Sequence, residues 1–310
     1  MFKFTSHKQV TVTFITLTVD NLKELMYNGR KGNFTPFIFI MEHKLKHDMC
    51  LLCGDIHGCL RDEEEHTGFF DSVDKCGGFE NTDIIILGDI GIGFEHFDFI
   101  GKDYNPNGDL KWLKVLDKWA KDNNNDVWVF RGNHDDPAKY AEDCKLWDWL
   151  DNIHCMRDGD TVISHNGKRY LVVPGSISID RSGRHRIDGF TYWSDEYMKY
   201  DLYEKMEASE FYGVFAHSGP TPPECLKSHF VENWAKREKE GDFWQPDKKF
   251  PKGLKETIEE ERENIDKIIA KFKPKYWFNG HYHEDAHFDR NGCEVFALGI
   301  VKFLELDRYE

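Results

Sequence analysis

Five apolar stretches of this chain each lead into side chains that can bind a metal ion, usually just after a glycine. The seven side chains are Asp55, His57, Asp89, Asn133, His217, His281 and His283. Carboxylate, imidazole and amide donors together suit Mn²⁺, Fe or Zn²⁺ better than a lone Ca²⁺. Seven donors exceed what one ion needs, and a shared carboxylate would hold two ions about 3.5 to 4 Å apart. Such a pair polarises a phosphoryl oxygen and generates hydroxide at neutral pH, so the pattern predicts phosphoester hydrolysis.

Strands must bring these side chains together, because their positions are spread along most of the chain. The clearest strand precedes Asp89, where four consecutive aliphatic residues lie between Asp83 and Gly88. This run favours a strand buried on both faces, as in a parallel sheet covered by helices. Ligands of α/β sheets gather outside the carboxyl ends of the strands. We therefore expect all five sets of side chains to converge on one rim.

A candidate proton donor stands next to one of these ligands. His134 follows Asn133 directly and is free to protonate the leaving oxygen. Single residues have ordinary explanations as well, because a lone Asp often caps a strand end and His281 or His283 alone could be a surface histidine. A chance origin for the whole set would require five independent coincidences at strand ends.

The composition is that of an acidic globular protein. The 310 residues are 40% hydrophobic, which suits one large α/β domain with insertions or two smaller domains. Lys and Arg number 41 against 56 for Asp and Glu, so the net charge is −15. This balance disfavours sequence-independent binding to nucleic acid, which relies on a basic surface. An anionic substrate would need local positive charge, which bound metal ions supply.

The eight cysteines form no regular framework. Cys50 and Cys53 have the spacing of a zinc ribbon, but they lie in an apolar strand and no second pair follows, so we interpret them as core residues. Reduced thiols favour a cytoplasmic protein. The sequence shows no signal peptide and no run of about 20 apolar residues that could cross a membrane.

The remaining patterns predict helices, a hairpin and closing strands. Helical spacing favours helices over 109–121 and 254–272, with a further helix over 136–150. A hairpin is expected over 161–173, with Asn166-Gly167 at its turn. Two strands near 293–298 and 301–306 should close the chain.

Three arginines, Arg181, Arg184 and Arg186, fall within six residues of this acidic chain. One interpretation is a surface patch. The other is recognition of phosphate by an arginine fork.

Five motifs carry a resemblance to a known family. In order they are Gly54-Asp55-Ile56-His57-Gly58, Gly88-Asp89, Gly132-Asn133-His134-Asp135, His217 and Gly280-His281-Tyr282-His283. From about Met49 to the C-terminus, the chain resembles the calcineurin-like metallophosphoesterase superfamily. The resemblance implies an α/β fold with a two-sheet sandwich flanked by helices in four layers, and a dinuclear site. Asp55, His57, Asp89 and His283 would hold one ion; Asp89, Asn133, His217 and His281 would hold the other. Asp89 would be the bridge and His134 the catalytic acid.

Two departures narrow the subgroup. The protein Ser/Thr phosphatases of this superfamily follow the bridging Asp with an Asp-Arg-Gly element, whereas Ile90-Gly91 stands here. The tyrosine ligand of purple acid phosphatases would fall near Ile92, so the sequence disfavours that subgroup as well as the protein phosphatases. The stretches 174–180 and 193–196 are similar to small bacterial and phage members, and Arg181, Arg184 or Arg186 could replace the missing arginine.

The expected domain division places an N-terminal extension at 1–47, packed on the core or partly mobile, and the metallophosphoesterase domain at 48–310. A lid or insertion is expected at 220–252, and His43 to His47 should form a basic linker.

The predicted function is hydrolysis of a phosphomonoester or phosphodiester, on a small molecule or nucleotide, by a water activated between two divalent ions. Mn²⁺ is the favoured ion, with Fe or Zn²⁺ as alternatives. A second hypothesis is a nuclease or an enzyme that processes nucleic-acid ends, although the acidic balance disfavours long duplexes. A third is a non-catalytic binding scaffold, which a full ligand set disfavours.

Overall fold

A computed structural model describes residues 40–61, 68–94, 108–178, 186–223 and 254–310. The chain divides into two units, Met1–Met41 and Glu42–Glu310, and the elements below belong to the second. Most of the expected N-terminal extension and of the expected lid at 220–252 lies outside the described residues. The division into these parts stays a prediction.

Twelve strands in the described part of the second unit form two sheets. They are β1 Glu42–Lys44, β2 Met49–Cys53, β3 Thr82–Ile86, β4 Asp126–Val129, β5 Ile153–Cys155, β6 Thr161–Ile163, β7 Arg169–Val173, β8 Gly213–Ala216, β9 Tyr276–Asn279, β10 Ala286–Arg290, β11 Cys293–Ala297 and β12 Phe303–Glu305. The larger sheet has the order β1-β6-β7-β8-β9-β11-β10, and the smaller has the order β12-β2-β3-β4-β5. Both sheets are mixed, with parallel strands β2 to β5 in one and β7, β8, β9 and β11 in the other.

Helices lie around the two sheets. Within the described residues they are α1 Phe69–Lys75, α2 Gly108–Asp122, α3 Tyr200–Lys205 and α4 Leu254–Phe272. The bounds of α2 and α4 confirm the helical spacing in these segments. Two mixed sheets with helices around them confirm the predicted α/β sandwich.

Strand β3 is buried on both faces, as its unbroken aliphatic run predicts. Ile84 and Ile86 face a core shared with Leu113 of α2. Ile85 faces a second core, shared with Phe215 of the other sheet. Each such side chain contributes about 1.5 to 3 kcal/mol by leaving water, so β3 is fixed from both sides. Asp89, three residues beyond its end, is thereby held at the rim.

Cys50 and Cys53 are both buried, which confirms their interpretation as core residues. They belong to different cores, on opposite faces of β2. The predicted hairpin is also present, because β6 and β7 pair antiparallel and Gly167 takes a positive φ of 75° at the turn.

The helix expected over 136–150 is wrong. Two short 3-10 turns, Pro137–Tyr140 and Trp147–Trp149, stand in its place. The indole of Trp147 donates a hydrogen bond to the carbonyl of Lys139 at 2.7 Å. This bond closes the segment on itself, and tertiary contact outweighs helix propensity here.

The basic linker expected at 43–47 is also wrong. Glu42–Lys44 is strand β1, which pairs with β6. The amides of Lys46 and His47 donate to one oxygen of Asp83, at 2.8 and 2.6 Å. Strand β10 has no counterpart in the sequence prediction; it pairs with β11 across an Asn291-Gly292 turn, both at positive φ.

Candidate metal centre

The ends of five parallel strands bring the predicted ligands to one rim. Asp55 and His57 follow β2, Asp89 follows β3, Asn133 follows β4, His217 follows β8, and His281 and His283 follow β9. Two groups of these side chains have donor atoms within 4.8 Å of one another. The first is Asp55, His57, Asp89 and His283; the second is Asp89, His217 and His281. Asp89 belongs to both groups.

The first group lies on the open side of the site. Nε2 of His57 and Nε2 of His283 are 3.0 Å apart, and the latter is 3.2 Å from Oδ2 of Asp55. Such close approach of two imidazole nitrogens is typical of ligands that surround a common cation. The side chain of His283 is 46% exposed, whereas that of Asp55 is fully buried. A substrate therefore has access from the side of His283.

The second group lies on the closed side. Nε2 of His217 is 3.2 Å from Oδ1 of Asp89 and 2.9 Å from Oδ1 of Asn133. Nδ1 of His217 is 2.8 Å from the carbonyl of Leu87. Because a carbonyl only accepts, Nδ1 carries the proton of that bond. Nε2 therefore faces the carboxylate of Asp89 and the amide oxygen of Asn133, which adds Asn133 to the candidate donors of this group.

Glycines let the ligands approach one another. A Cβ on Gly132 would lie 2.0 Å from Oδ1 of Asp89, and a Cβ on Gly280 would lie 2.1 Å from Oδ1 of Asp55. Four of the ligands, His57, Asp89, His281 and His283, themselves take positive φ values between 47° and 65°. This left-handed region is uncommon for such residues and costs on the order of 1 to 3 kcal/mol each. The fold maintains this strain at the site.

One unpartnered atom tests whether a cation fits. Oδ2 of Asp89 is buried and has no hydrogen-bond partner in the described part of the structure, while Oδ1 accepts the amide of His134 at 2.7 Å. A buried polar group left without a partner costs about 1 to 3 kcal/mol, and more when it is charged. A divalent cation among these donors would satisfy that oxygen. The residues therefore fit a metal ion, with Asp89 placed to serve both groups.

The electrostatics of the site favour positive charge. Burial would raise the pKa of Asp89, but the imidazoles of His217, His134 and His57 hold it well below its usual range. Burial would lower the pKa of His217, but Asp89 and Asp55 outweigh burial and raise it to about 10. The negative charges that keep this imidazole protonated also favour a metal cation in place of the proton.

Asp135 fixes the loops that carry the ligands. Its Oδ1 accepts the amides of Gly91 and Ile92 at 2.7 and 2.9 Å, and its Oδ2 accepts the amide of Gly132 at 2.7 Å. The loops after β3 and β4 are thereby joined. Burial, together with the charge of Asp89, raises the pKa of Asp135 to about 7.

His134 lies at the edge of the first group. Its ring is 4.7 Å from that of His57 and stacks on Phe94 at 4.6 Å. Nη2 of Arg186 is 3.1 Å from Nε2 of His134, and the guanidinium lies 5.2 Å from the Phe94 ring. Arg186 is thus the one predicted arginine that the structure places at the site. Arg181 and Arg184 lie outside the described residues.

A two-sheet α/β sandwich with Asp and His donors at the strand ends defines a metallophosphoesterase. Residues 50–285 match the model of the calcineurin-like phosphoesterases, and the chain belongs to this family. One crystal structure is similar at 12% sequence identity, over 84% of this chain and 96% of that chain, with a TM-score of 0.47. The comparison with curated proteins found no match.

Family and site together support metal-dependent phosphoester hydrolysis as the general reaction. Among the described helices, none has both the length and the apolar character that a membrane span requires.

Sequence reasoning gave no individual role to three residues at the site. Phe94 covers His134, and Ser178 and Glu196 lie behind Asn133. The similarity of 174–180 and 193–196 to small bacterial and phage members was the signal that pointed to the latter two. It gave no role, because the hydrogen bond from Asn133 to Ser178 spans 45 residues and the one from Ser178 to Glu196 spans 18.

Proposed function

We propose that this protein uses two divalent metal ions to hydrolyse a phosphomonoester or phosphodiester of a small molecule or nucleotide. The observation that carries the proposal is Asp89, which is common to both groups of donors and has one buried oxygen without a partner. Mn²⁺ is the ion that we propose, because imidazole and carboxylate donors are mixed. The cysteine spacing favours a reducing compartment such as the cytoplasm.

The seven predicted ligands would hold the ions. Asp55, His57, Asp89 and His283 would serve one, and Asp89, Asn133, His217 and His281 the other. Bound divalent ions supply a Lewis acid for the phosphoryl oxygen and a nucleophilic hydroxide at neutral pH. The protein contributes the shared carboxylate and the fixed loops around it.

His134 and Arg186 would act on the substrate itself. A guanidinium cannot accept a hydrogen bond, so Nε2 of His134 accepts in its contact with Arg186. A phosphate is a stronger acceptor than a neutral imidazole, and arginine binds phosphate through paired hydrogen bonds. Substrate would therefore draw Arg186 away from His134. Nε2 of His134, released from Arg186, would then take up a proton from solvent and donate it to the leaving oxygen.

Activity and metal content test this proposal together. The wild type, depleted of metal and reloaded with Mn²⁺, should turn over bis-p-nitrophenyl phosphate or p-nitrophenyl phosphate. Asp89→Asn should lose both metal and turnover. The matched control is Asp148→Asn, which removes an exposed carboxylate paired with Lys145, and it should retain both. Full retention of metal and turnover in Asp89→Asn would reject the proposal.

Salt dependence separates a small-molecule enzyme from a nuclease. Turnover of an oligonucleotide that falls steeply with salt would indicate a nucleic-acid substrate. With a net charge of −15, we expect little such dependence.

A further inference from the structure

A buried chain of hydrogen bonds lies behind the amide ligand. Nδ2 of Asn133 donates to Oγ of Ser178 at 3.1 Å, and Oγ of Ser178 donates to Oε2 of Glu196 at 2.9 Å. The amide of Ser178 donates to the other oxygen of Glu196 at 2.7 Å. All three residues are buried, with at most 3% of their surface exposed. The network is therefore closed to water.

When Glu196 is ionised, this chain of hydrogen bonds has one direction. An ionised carboxylate only accepts, so the hydroxyl of Ser178 must give its proton to Glu196. The oxygen of that hydroxyl then accepts, and it must accept from the NH₂ group of Asn133. The amide oxygen of Asn133 is left facing Nε2 of His217, 2.9 Å away, among the candidate ligands. A flipped amide would present a donor there, which cannot bind a cation.

We propose that Ser178 and Glu196 are positioning residues that fix the amide of Asn133 with its oxygen toward the metal. The inference rests on the proposed function, because it concerns a ligand of the second ion. Ser178, in the segment after β7, and Glu196 would hold the amide of Asn133 in one of its two possible orientations, which exchange the oxygen and the NH₂ group.

The surroundings hold Glu196 in place. Nη1 of Arg131 donates to the carbonyl of Glu196 at 2.6 Å, and Nη2 of Arg131 pairs with Asp158 at 2.8 Å. Gly175 packs so closely that a Cβ there would lie 2.5 Å from the same carbonyl. Burial raises the pKa of Glu196 to about 8. Metal binding is therefore best measured at about pH 8.5, without oxygen, where the carboxylate is mostly ionised.

Glu196→Gln tests the direction of the chain. The new NH₂ group would donate to Ser178, while the remaining oxygen still accepts the amide of Ser178. The hydroxyl proton of Ser178 could then turn toward Asn133 and stabilise the flipped amide. We expect Mn²⁺ content after dialysis to fall from two ions per chain to one, with at least about a ten-fold loss of affinity for the second ion.

The decisive comparison is the effect of Glu196→Gln in the wild type and in the Asn133→Asp variant. A carboxylate has no donor side, and it prefers a hydroxyl that points toward it. Glu196→Gln should therefore leave Mn²⁺ binding unchanged, or strengthen it, when Asp occupies position 133. A purely structural role would make Glu196→Gln harmful in both backgrounds.

Three further readings complete the test. Ser178→Ala should weaken binding of the second Mn²⁺ ion as Glu196→Gln does. Ser178→Thr keeps the hydroxyl and should bind this ion as the wild type does. Melting temperatures in EDTA must show that each variant folds. Two ions in the wild type with no loss in Glu196→Gln, or an equal loss in both backgrounds, would overturn the inference alone. Fewer than two ions in the wild type would overturn the proposed function as well.

Discussion

Gly132→Ala should disable the site through a single added methyl group. Gly132 has no positive φ, so alanine meets no backbone strain and the effect is steric alone. The new Cβ would lie 2.0 Å from Oδ1 of Asp89 and 2.5 Å from its amide nitrogen. Ordinary contact begins at about 3.4 Å, so the carboxylate must move by at least about 1.4 Å. Metal–ligand distances tolerate only about 0.2 Å.

The expected magnitudes follow from this displacement. Mn²⁺ affinity should fall at least about 100-fold, the upper end of what misplaced ligand partners cause. Overpacking should destabilise the metal-free protein by about 1 to 3 kcal/mol, which lowers its melting temperature by about 2 to 10 °C. Calorimetric titration with Mn²⁺ and thermal melts in EDTA measure the two effects separately.

The control is Gly299→Ala. Its Cβ would lie 3.3 Å from the nearest atom, a side-chain oxygen of Asp285, so a small adjustment accommodates it. This variant should bind Mn²⁺ as the wild type does. If Gly132→Ala bound two ions with wild-type affinity, the placement of Asp89 against Gly132 would be refuted, and with it the role of glycine before the ligand.

Three other predictions concern residues outside the ligand set. Asp126→Asn should cost about 2 kcal/mol near pH 7, because Asp126 accepts from His47 at 2.9 Å and His154 at 2.6 Å. These contacts outweigh burial and hold the pKa of Asp126 low, so its contribution to the free energy of unfolding is present above about pH 4 and is lost as pH falls further. If urea unfolding showed the same difference in stability between the wild type and Asp126→Asn at pH 7 and at pH 3, the prediction would be contradicted. Arg186→Ala should lower kcat/KM at least about ten-fold with Mn²⁺ content unchanged, and Arg186→Lys should recover part of the lost kcat/KM. Unchanged kinetics in Arg186→Ala would show that Arg186 does not bind substrate. His134→Asn should slow alkyl phosphates by about 10² to 10⁴-fold and p-nitrophenyl phosphate less, because nitrophenolate needs little protonation; equal losses would argue against a proton donor.

The sequence predicted the parts of the site that depend on strand ends. Asp89 stands directly after an aliphatic run and a glycine, and the run alone indicates a strand buried on both faces. Parallel strands end at a common edge, so the convergence of Asp55 and His283 follows from local patterns. The family match over 50–285 confirms the resemblance on which the ligand groups rest.

Local sequence patterns could not predict contacts between residues that are distant in the sequence. Asp126 joins His47, which the sequence analysis placed in a basic linker, to His154, and nothing local in the sequence links these two positions. The helix expected over 136–150 failed for a related reason, since the indole of Trp147 bonds a carbonyl eight residues away. The direction of the chain from Asn133 to Glu196 likewise appears only when the side chains are seen together.

Anomalous diffraction from crystals grown with Mn²⁺ tests the central claim most directly. The account predicts two peaks about 3.5 to 4 Å apart, each within bonding distance of Asp89. One peak should lie among Asp55, His57 and His283, and the other beside His217. A single peak, or two peaks of which either fails to contact Asp89, would contradict the account.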